Sequence, residues 1–209
     1  NILEKSRYVI MDILRLREFN VEKYENFSRN ELEIMKNNIK KNNFEIEPID
    51  MISHHNSTDK KIFIKYLIFS KIRIGNLKTL LNEMIENEII SNNDDVILIL
   101  GDKINNHNIF NNLIDLFFKS HNIFIQIYSI MNLTINISKH ERVPQLRILD
   151  DEETGKILEK YEVSSAAKLP LFNRSDAQAK FYGVRSGDLC EIIRNSETAG
   201  IYTSYRYMP

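Results

Sequence analysis

The segment 191–209 reads EIIRNSETAGIYTSYRYMP. Apolar and β-branched residues stand on both sides of a polar run, the pattern of two strands joined by a turn. Asn195 to Gly200 is longer than the two-residue turns that strand twist favours, so the expected loop is held by its own hydrogen bonds or by a partner. Ser196 and Thr198 carry hydroxyls able to bond nearby amides, and Gly200 is placed to take positive φ where the chain re-enters a strand. Arg194 and Arg206 then fall on paired strands, where guanidinium groups suit bidentate contacts to carboxylates. The simpler alternative is that these residues only staple the hairpin.

Working outward, the chain changes character near residue 139. Every alanine (Ala166, Ala167, Ala177, Ala179, Ala199) follows His140, as do most glycines and prolines, whereas nearly all asparagines precede it. Two domains are expected, residues 1–139 and 140–209, which fits 209 residues against a common domain size of about 100–150. At 43% hydrophobic and 27% charged residues the chain has the means to build a core, so a wholly disordered chain is excluded. A net charge of -1 leaves no electrostatic footprint of a stand-alone nucleic-acid binder. The opening residues mix Glu4, Lys5, Asp12 and Arg15 into their apolar pattern, so no secretory signal is indicated. The first residue is Asn1, and the natural start is expected upstream.

The first part reads as an α/β domain with two leading helices followed by alternating strands and helices. Ile10, Ile13, Leu14 and Leu16 mark the first helix. The second begins at Ser28, which has capping-box spacing to Glu31 and sends Leu32, Met35 and Ile39 to one face. KIFIKYLIF (61–69) reads as a strand, GNLKTLLNEMI (75–85) as a helix, DDVILIL (94–100) as a buried strand, NIFNNLIDLFF (108–118) as a helix and NIFIQIY (122–128) as a strand. This order is that of βαβ crossovers. NLTINIS (132–138) alternates Leu133, Ile135 and Ile137 and is expected to continue in strand form; Gln126, Asn132 and Asn136 argue against a membrane span.

The second part reads as a small α+β domain. Asp150 and Asp151 are placed to cap a helix with an acidic first turn. Leu169 and Pro170 break the chain. Ser175 or Asp176 caps a short helix that Gly183 ends, and the Gly187 turn leads into the terminal hairpin.

A search for chemistry is negative. His54 and His55 are adjacent and lack further ligands at metal spacing; His107, His121 and His140 are scattered. No glycine-rich phosphate loop or GxSxG motif is present, and Cys190 reads as a small apolar strand residue. Neither a cofactor nor a metal is expected. The enzymatic alternative is a metal-dependent nuclease, but Asp59 to Lys61 offers only one acid near a lysine and no second metal-binding acid. Lys60, Lys61, Lys65, Lys71 and Arg73 flank one strand and its exit. They are the candidate DNA-proximal cations, against the plainer reading of a solvated face.

At HERVP (140–144), Leu169–Pro170, DAQAKFYG (176–183), SGD (186–188) and IIRNSETAGIYTSYR (192–206), the sequence resembles the fifth common subunit of the eukaryotic nuclear RNA polymerases, whose C-terminal half is a small archaeal polymerase subunit in its own right. The order and spacing of His140, Val143, Pro144, Tyr161, Asp176, Tyr182, Gly183, Gly187, Arg194, Ser196, Glu197, Thr198, Ala199, Gly200, Tyr202, Tyr205 and Arg206 carry the likeness over about the last 70 residues. Ala177, Glu191, Asn195 and Ile201 depart from the family's pattern, and the charge changes at 191 and 201 read as a partner surface that has diverged.

The resemblance implies a non-catalytic subunit of a DNA-dependent RNA polymerase, not a homo-oligomer. It implies an N-terminal jaw domain of nuclease-like topology near downstream DNA and a C-terminal assembly domain docked on the largest subunit. His140, Pro144, Asp176, Gly183, Arg194, Ser196, Glu197, Thr198, Gly200, Tyr202 and Arg206 are the partner-binding residues so implied. A nuclear location follows for a cellular protein, and the virion or host cytoplasm for one encoded by a large DNA virus. A nuclease and a free-standing adaptor remain the alternatives.

Overall fold

The computed structural model describes residues 2–38, 46–68, 73–101, 107–196 and 200–209. Two compact units are present, Asn1–Ile135 and Asn136–Pro209.

The N-terminal unit opens with helix α1 (Ile2–Leu16), whose Ile10, Ile13 and Leu14 recur at helical spacing and are wholly buried. Helix α2 (Arg29–Asn37) starts with a complete capping box: Ser28 accepts from the Glu31 amide, and the Glu31 carboxylate accepts from the Ser28 amide. Leu32 of α2 is buried; Ile39 lies outside the described residues. Strands β1 (Met51–His54), β2 (Lys61–Leu67), β3 (Asp95–Leu100) and β4 (Phe124–Ser129) form one sheet in sequential order. The pair β1–β2 is antiparallel, and β2–β3 and β3–β4 are parallel.

The parallel pairs are joined through helices α3 (Ile74–Glu86) and α4 (His107–His121), as the crossover reading expects. Leu77, Leu80, Leu81 and Met84 of α3 and Leu113 and Phe117 of α4 share one cluster with Phe63, Val96, Leu98, Ile125 and Ile127. Both helices therefore cover the same sheet face, which is what two crossovers of one hand produce. The alternate residues Ile62, Ile64, Ile97 and Ile99 are buried too, giving the near-continuous apolar strands of a sheet covered on both faces.

Two local expectations change. The segment expected to continue as a strand through Leu133, Ile135 and Ile137 instead forms two short 3₁₀ turns, Ile130–Leu133 and Ile137–Lys139. Leu133 is buried while Ile135 is 70% exposed, so its alternation has no sheet to serve. Strand β1 was not legible from sequence, being four residues long and ending on the exposed His54.

Lys65 is also corrected. Its Nζ is sealed inside the N-terminal unit, 2.7 Å from Asp50 Oδ2, with both side chains almost fully buried. The carboxylate also accepts from the amides of Glu47 and Tyr66. Burial raises the Asp50 pKa above its ordinary value, against the opposing pull of Lys65 and the two amides. A lysine held this way cannot neutralise a phosphate.

In the C-terminal unit, β5 (Gln145–Ile148), β6 (Leu189–Ser196) and β7 (Gly200–Tyr207) form an antiparallel sheet in that order. Helix α5 (Asp151–Lys160) is started by Asp150, which forms a capping box with Glu153. Helix α6 (Ala177–Tyr182) is capped by Asp176 and ended by Gly183 at φ 73°, the left-handed conformation glycine adopts without a Cβ penalty. Leu146, Phe172, Ala179, Val184, Cys190, Ile192 and Met208 make the core. Cys190 is wholly buried, and burial pushes its thiol up to about 12, so it packs as an apolar side chain and is not a nucleophile.

Candidate docking surface

The hairpin begins at a turn in which the Asp188 carboxylate accepts from the Arg185 amide, with Gly187 at φ 98°. From there β6 and β7 pair without interruption from Leu189 opposite Tyr207 to Ser196 opposite Gly200. The strands thus run further than expected, leaving only positions 197–199 between them instead of a loop from Asn195 to Gly200. Gly200 takes φ 69° at the start of β7, as the sequence suggested. Because β5 pairs only with residues 190–193 of β6, the far end of the hairpin extends past its neighbour as a two-stranded ribbon.

Directly opposed residues in an antiparallel pair share a face. Cys190, Ile192, Arg194, Tyr202, Ser204 and Arg206 therefore lie on one face: its inner part enters the core, and its outer part presents Arg194 and Tyr202 to solvent. Tyr202 is 56% exposed. Ile201, on the other face, is 69% exposed. Arg206 is half-buried and its guanidinium donates to the Leu171 carbonyl at 3.4 Å.

The remaining residues expected to bind a partner separate into two groups. Asp176 Oδ1 accepts from the amides of Gln178 (2.8 Å) and Ala179 (3.3 Å), and Gly183 ends the same helix, so both serve α6. The Pro144 carbonyl accepts from the Gln178 side chain, and His140 Nδ1 accepts from the Arg142 amide at 3.2 Å within a surface turn. Arg194, Gly200 and Tyr202 are exposed on the hairpin, as His140 and Asp176 are elsewhere in the unit, and Ser196 is half-buried at the last described pair. Glu197 and Thr198 lie outside the described residues, as does Lys71.

Glu191, one of the positions that depart from the family's pattern, is bonded within its own sheet. Its carboxylate accepts from Arg147 Nε (3.2 Å), from Arg147 Nη2 (3.1 Å) and from the Tyr205 hydroxyl (3.1 Å). The same arginine also binds Glu153 of α5, whose carboxyl is held below its ordinary value chiefly by that bond. Tyr161 stacks edge-on against Tyr205 with ring centroids 5.8 Å apart. This network was missed because Arg147, Glu191 and Tyr205 meet only through sheet register.

In the N-terminal unit four of the proposed DNA-proximal cations are described. Lys60 and Arg73 are exposed, Lys61 is half-buried, and Lys65 is sealed as described. Arg73 stands at the N-cap of α3, where its charge gains nothing from the helix dipole. The Asp94 carboxylate, near the nuclease motif weighed above, is occupied by the amides of Lys61 and Ser91. Among the described residues no group of three or more His, Cys, Asp or Glu side chains is placed to hold a metal ion.

The RNA polymerase Rpb5 C-terminal domain family model matches residues 135–208. The chain is 48% identical over 71 residues to the DNA-directed RNA polymerase subunit Rpo5 of Pyrococcus horikoshii, covering 34% of this chain and 85% of that subunit. It is 26% identical over 154 residues to DNA-directed RNA polymerase V subunit 5A of Arabidopsis thaliana, covering 73% of this chain and 64% of the plant protein. It is 39% identical over 74 residues to the DNA-directed RNA polymerases I, II, and III subunit RPABC1 of Caenorhabditis elegans, 35% of each chain. The chain thus spans less than two thirds of the length of the eukaryotic relatives it matches. With the matched segment coinciding with the unit that carries the β6–β7 hairpin, the chain belongs to the Rpb5/Rpo5 family of RNA polymerase subunits.

Proposed function

We propose that this chain is a non-catalytic subunit of a multisubunit DNA-dependent RNA polymerase. Its C-terminal unit docks on the largest subunit through the outer half of the β6–β7 hairpin, and its N-terminal unit serves as a jaw near downstream DNA. The observation that carries the reading is the coincidence of the family match, residues 135–208, with a unit whose hairpin end exposes Ile201 and Tyr202 beside the exposed Arg194. Exposed Ile201 and Tyr202 beside Arg194 form a small amphipathic tip, a type of surface that gains from burial against a partner.

Two physical features favour docking over catalysis. The hairpin is built by continuous strand pairing and fixed at its base by the Arg174 guanidinium, which donates to the Pro209 carbonyl at 2.6 and 2.9 Å, so little ordering cost falls on binding. Asp50, Tyr66 and Cys190, whose pKa values burial raises, are sealed in cores. For the jaw, Lys60 and Arg73 are the exposed members of the proposed set, and any contact they make with DNA is a phosphate contact without base readout.

Affinity purification of the tagged full chain, with identification of the co-purifying proteins, tests the reading. Recovery of the large polymerase subunits in stoichiometric amount is expected. Recovery of the chain alone, or with partners unrelated to transcription, overturns it.

A further inference from the structure

The outer edge of β7 is a row of open backbone groups. Met208 donates to the Asp188 carbonyl and accepts from the Gly187 amide, both at 2.9 Å, so the even-numbered residues of β7 turn their backbone groups towards β6. The odd-numbered residues turn theirs outward. Tyr207 has the same phase: its amide donates to the Pro170 carbonyl at 2.9 Å and its carbonyl accepts from the Phe172 amide at 2.7 Å. Segment 170–172 thus closes the edge at Tyr207, bridging it in parallel through Leu171. The outward amides and carbonyls of Ile201, Thr203 and Tyr205 have no hydrogen-bond partner among the described residues.

Natural edge strands are usually guarded by proline, lysine, a bulge or a cover. Between Gly200 and Arg206 there is neither proline nor lysine, and the register with β6 runs without a bulge. Four of the five residues 201–205, Ile201, Tyr202, Thr203 and Tyr205, are instead strong strand formers. Arg194 and Arg206 share one face of this ribbon, and neither has a carboxylate partner among the described residues. On the other face Tyr205 is engaged with Glu191, while Ile201 stands exposed.

We infer that the β7 edge at residues 201–205 receives an extended segment of another polymerase subunit as a fourth strand, with acidic side chains on the sheet face that carries Arg194 and Arg206. Main-chain bonds to Ile201, Thr203 and Tyr205 supply the pairing, and the positive charge of that face favours an acidic segment. Segment 170–172 limits the added strand at one end: Leu171 lies beside Tyr207 in a parallel bridge, so Pro170 is the residue it meets. This inference rests on the docking reading above and specifies how the docking is made.

The test is amide hydrogen exchange at single-residue resolution on the full chain, free and within the polymerase with which it co-purifies. The expected result is alternation: the amides of Ile201, Thr203 and Tyr205 slow by at least about tenfold in the complex, the equivalent of one added hydrogen bond each, while Tyr202 and Ser204 show no comparable gain. Uniform slowing across 201–205, or none, overturns the added strand and leaves the docking reading standing. Failure of the chain to co-purify with any polymerase overturns both. Concentration-dependent protection of the same three amides in the free chain, with a dimer by sedimentation, assigns the edge to a second copy and overturns the choice of partner. A Thr203→Pro variant gives an independent readout, because it removes an outward N–H and no bond to β6. Loss of co-purification with an unchanged melt is expected; retained co-purification contradicts the inference, and if the variant fails to fold, the exchange pattern of the native chain decides.

Discussion

Lys65 Nζ lies 2.7 Å from Asp50 Oδ2, across one step beyond the Met51–Ile64 pair of the β1–β2 ladder, in a site closed to solvent. The pair is one centre of polar order in the N-terminal unit. Nearby, the buried Arg7 donates to the Ile49 carbonyl and lies over the rings of Tyr24 and Phe27. Replacing only one member of a buried ion pair strands the other charge, which costs about 3–5 kcal/mol. Lys65→Met is therefore expected to lower the unfolding free energy of the N-terminal unit by roughly 3 kcal/mol, and Asp50→Asn combined with Lys65→Met to recover part of it. Urea melts of the full chain, followed through the transition of that unit, check this. A loss below about 1 kcal/mol would mean that the ammonium is solvated after all.

The capping residues are expected to act on stability and not on docking. Asp176→Ala removes acceptors for the Gln178 and Ala179 amides and should cost about 1 kcal/mol. Gly183→Ala places a Cβ on a left-handed residue and should cost about 1–2 kcal/mol. Neither is expected to change the amount of polymerase recovered with the chain once both are assayed below their melting transitions. Loss of recovery without loss of stability would return these residues to the partner surface.

The Arg147 network gives a pH signature. Glu153 has its pKa depressed in the fold, first by the Arg147 bond and then by the Asp150 amide. A group with a depressed folded pKa contributes stability that is fully present above its unfolded value and is lost as pH falls through the folded value. Stability of the C-terminal unit should thus fall in the acid range below the ordinary glutamate pKa of about 4.3. In Arg147→Met the Glu153 titration should move up towards that ordinary value, as read by carboxyl NMR shifts. An unchanged Glu153 titration in the variant would show that the arginine is not its determinant.

What the sequence revealed was mostly local. The Ser28–Glu31 box, the α3 and α4 periodicities, the Asp176 cap and the Gly183 stop are written within a few residues, so spacing alone placed them. Contacts set by register were hidden. Lys65 looked like a surface cation because its partner Asp50 is fifteen positions away, and the bond of Glu191 to Arg147 was not legible because the two meet only through the β5–β6 ladder. The short strands β1 and β5 offered four residues each, too few for a period to show. The alternation of Leu133, Ile135 and Ile137 misled for the opposite reason, being a strand pattern with no neighbouring strand to pair with.

At the hairpin tip the prediction is a loss of assembly without loss of fold. Arg194, Ile201 and Tyr202 contribute little to the C-terminal core, so Ile201→Asp should change stability by within about 0.5 kcal/mol, as surface substitutions do. Thermal melts of the variant and the native chain should superimpose. A lowered melt would mean that the tip supports its own unit.

The most direct measurement of the central claim compares the native chain with the Arg194→Glu, Tyr202→Asp double variant. Each is expressed with the same tag, and the recovered largest polymerase subunit is quantified per mole of tagged chain. The account predicts that the folded double variant recovers at most about a tenth as much, the effect of losing on the order of 1.4 kcal/mol or more of docking energy. Native-level recovery by a folded double variant would contradict it.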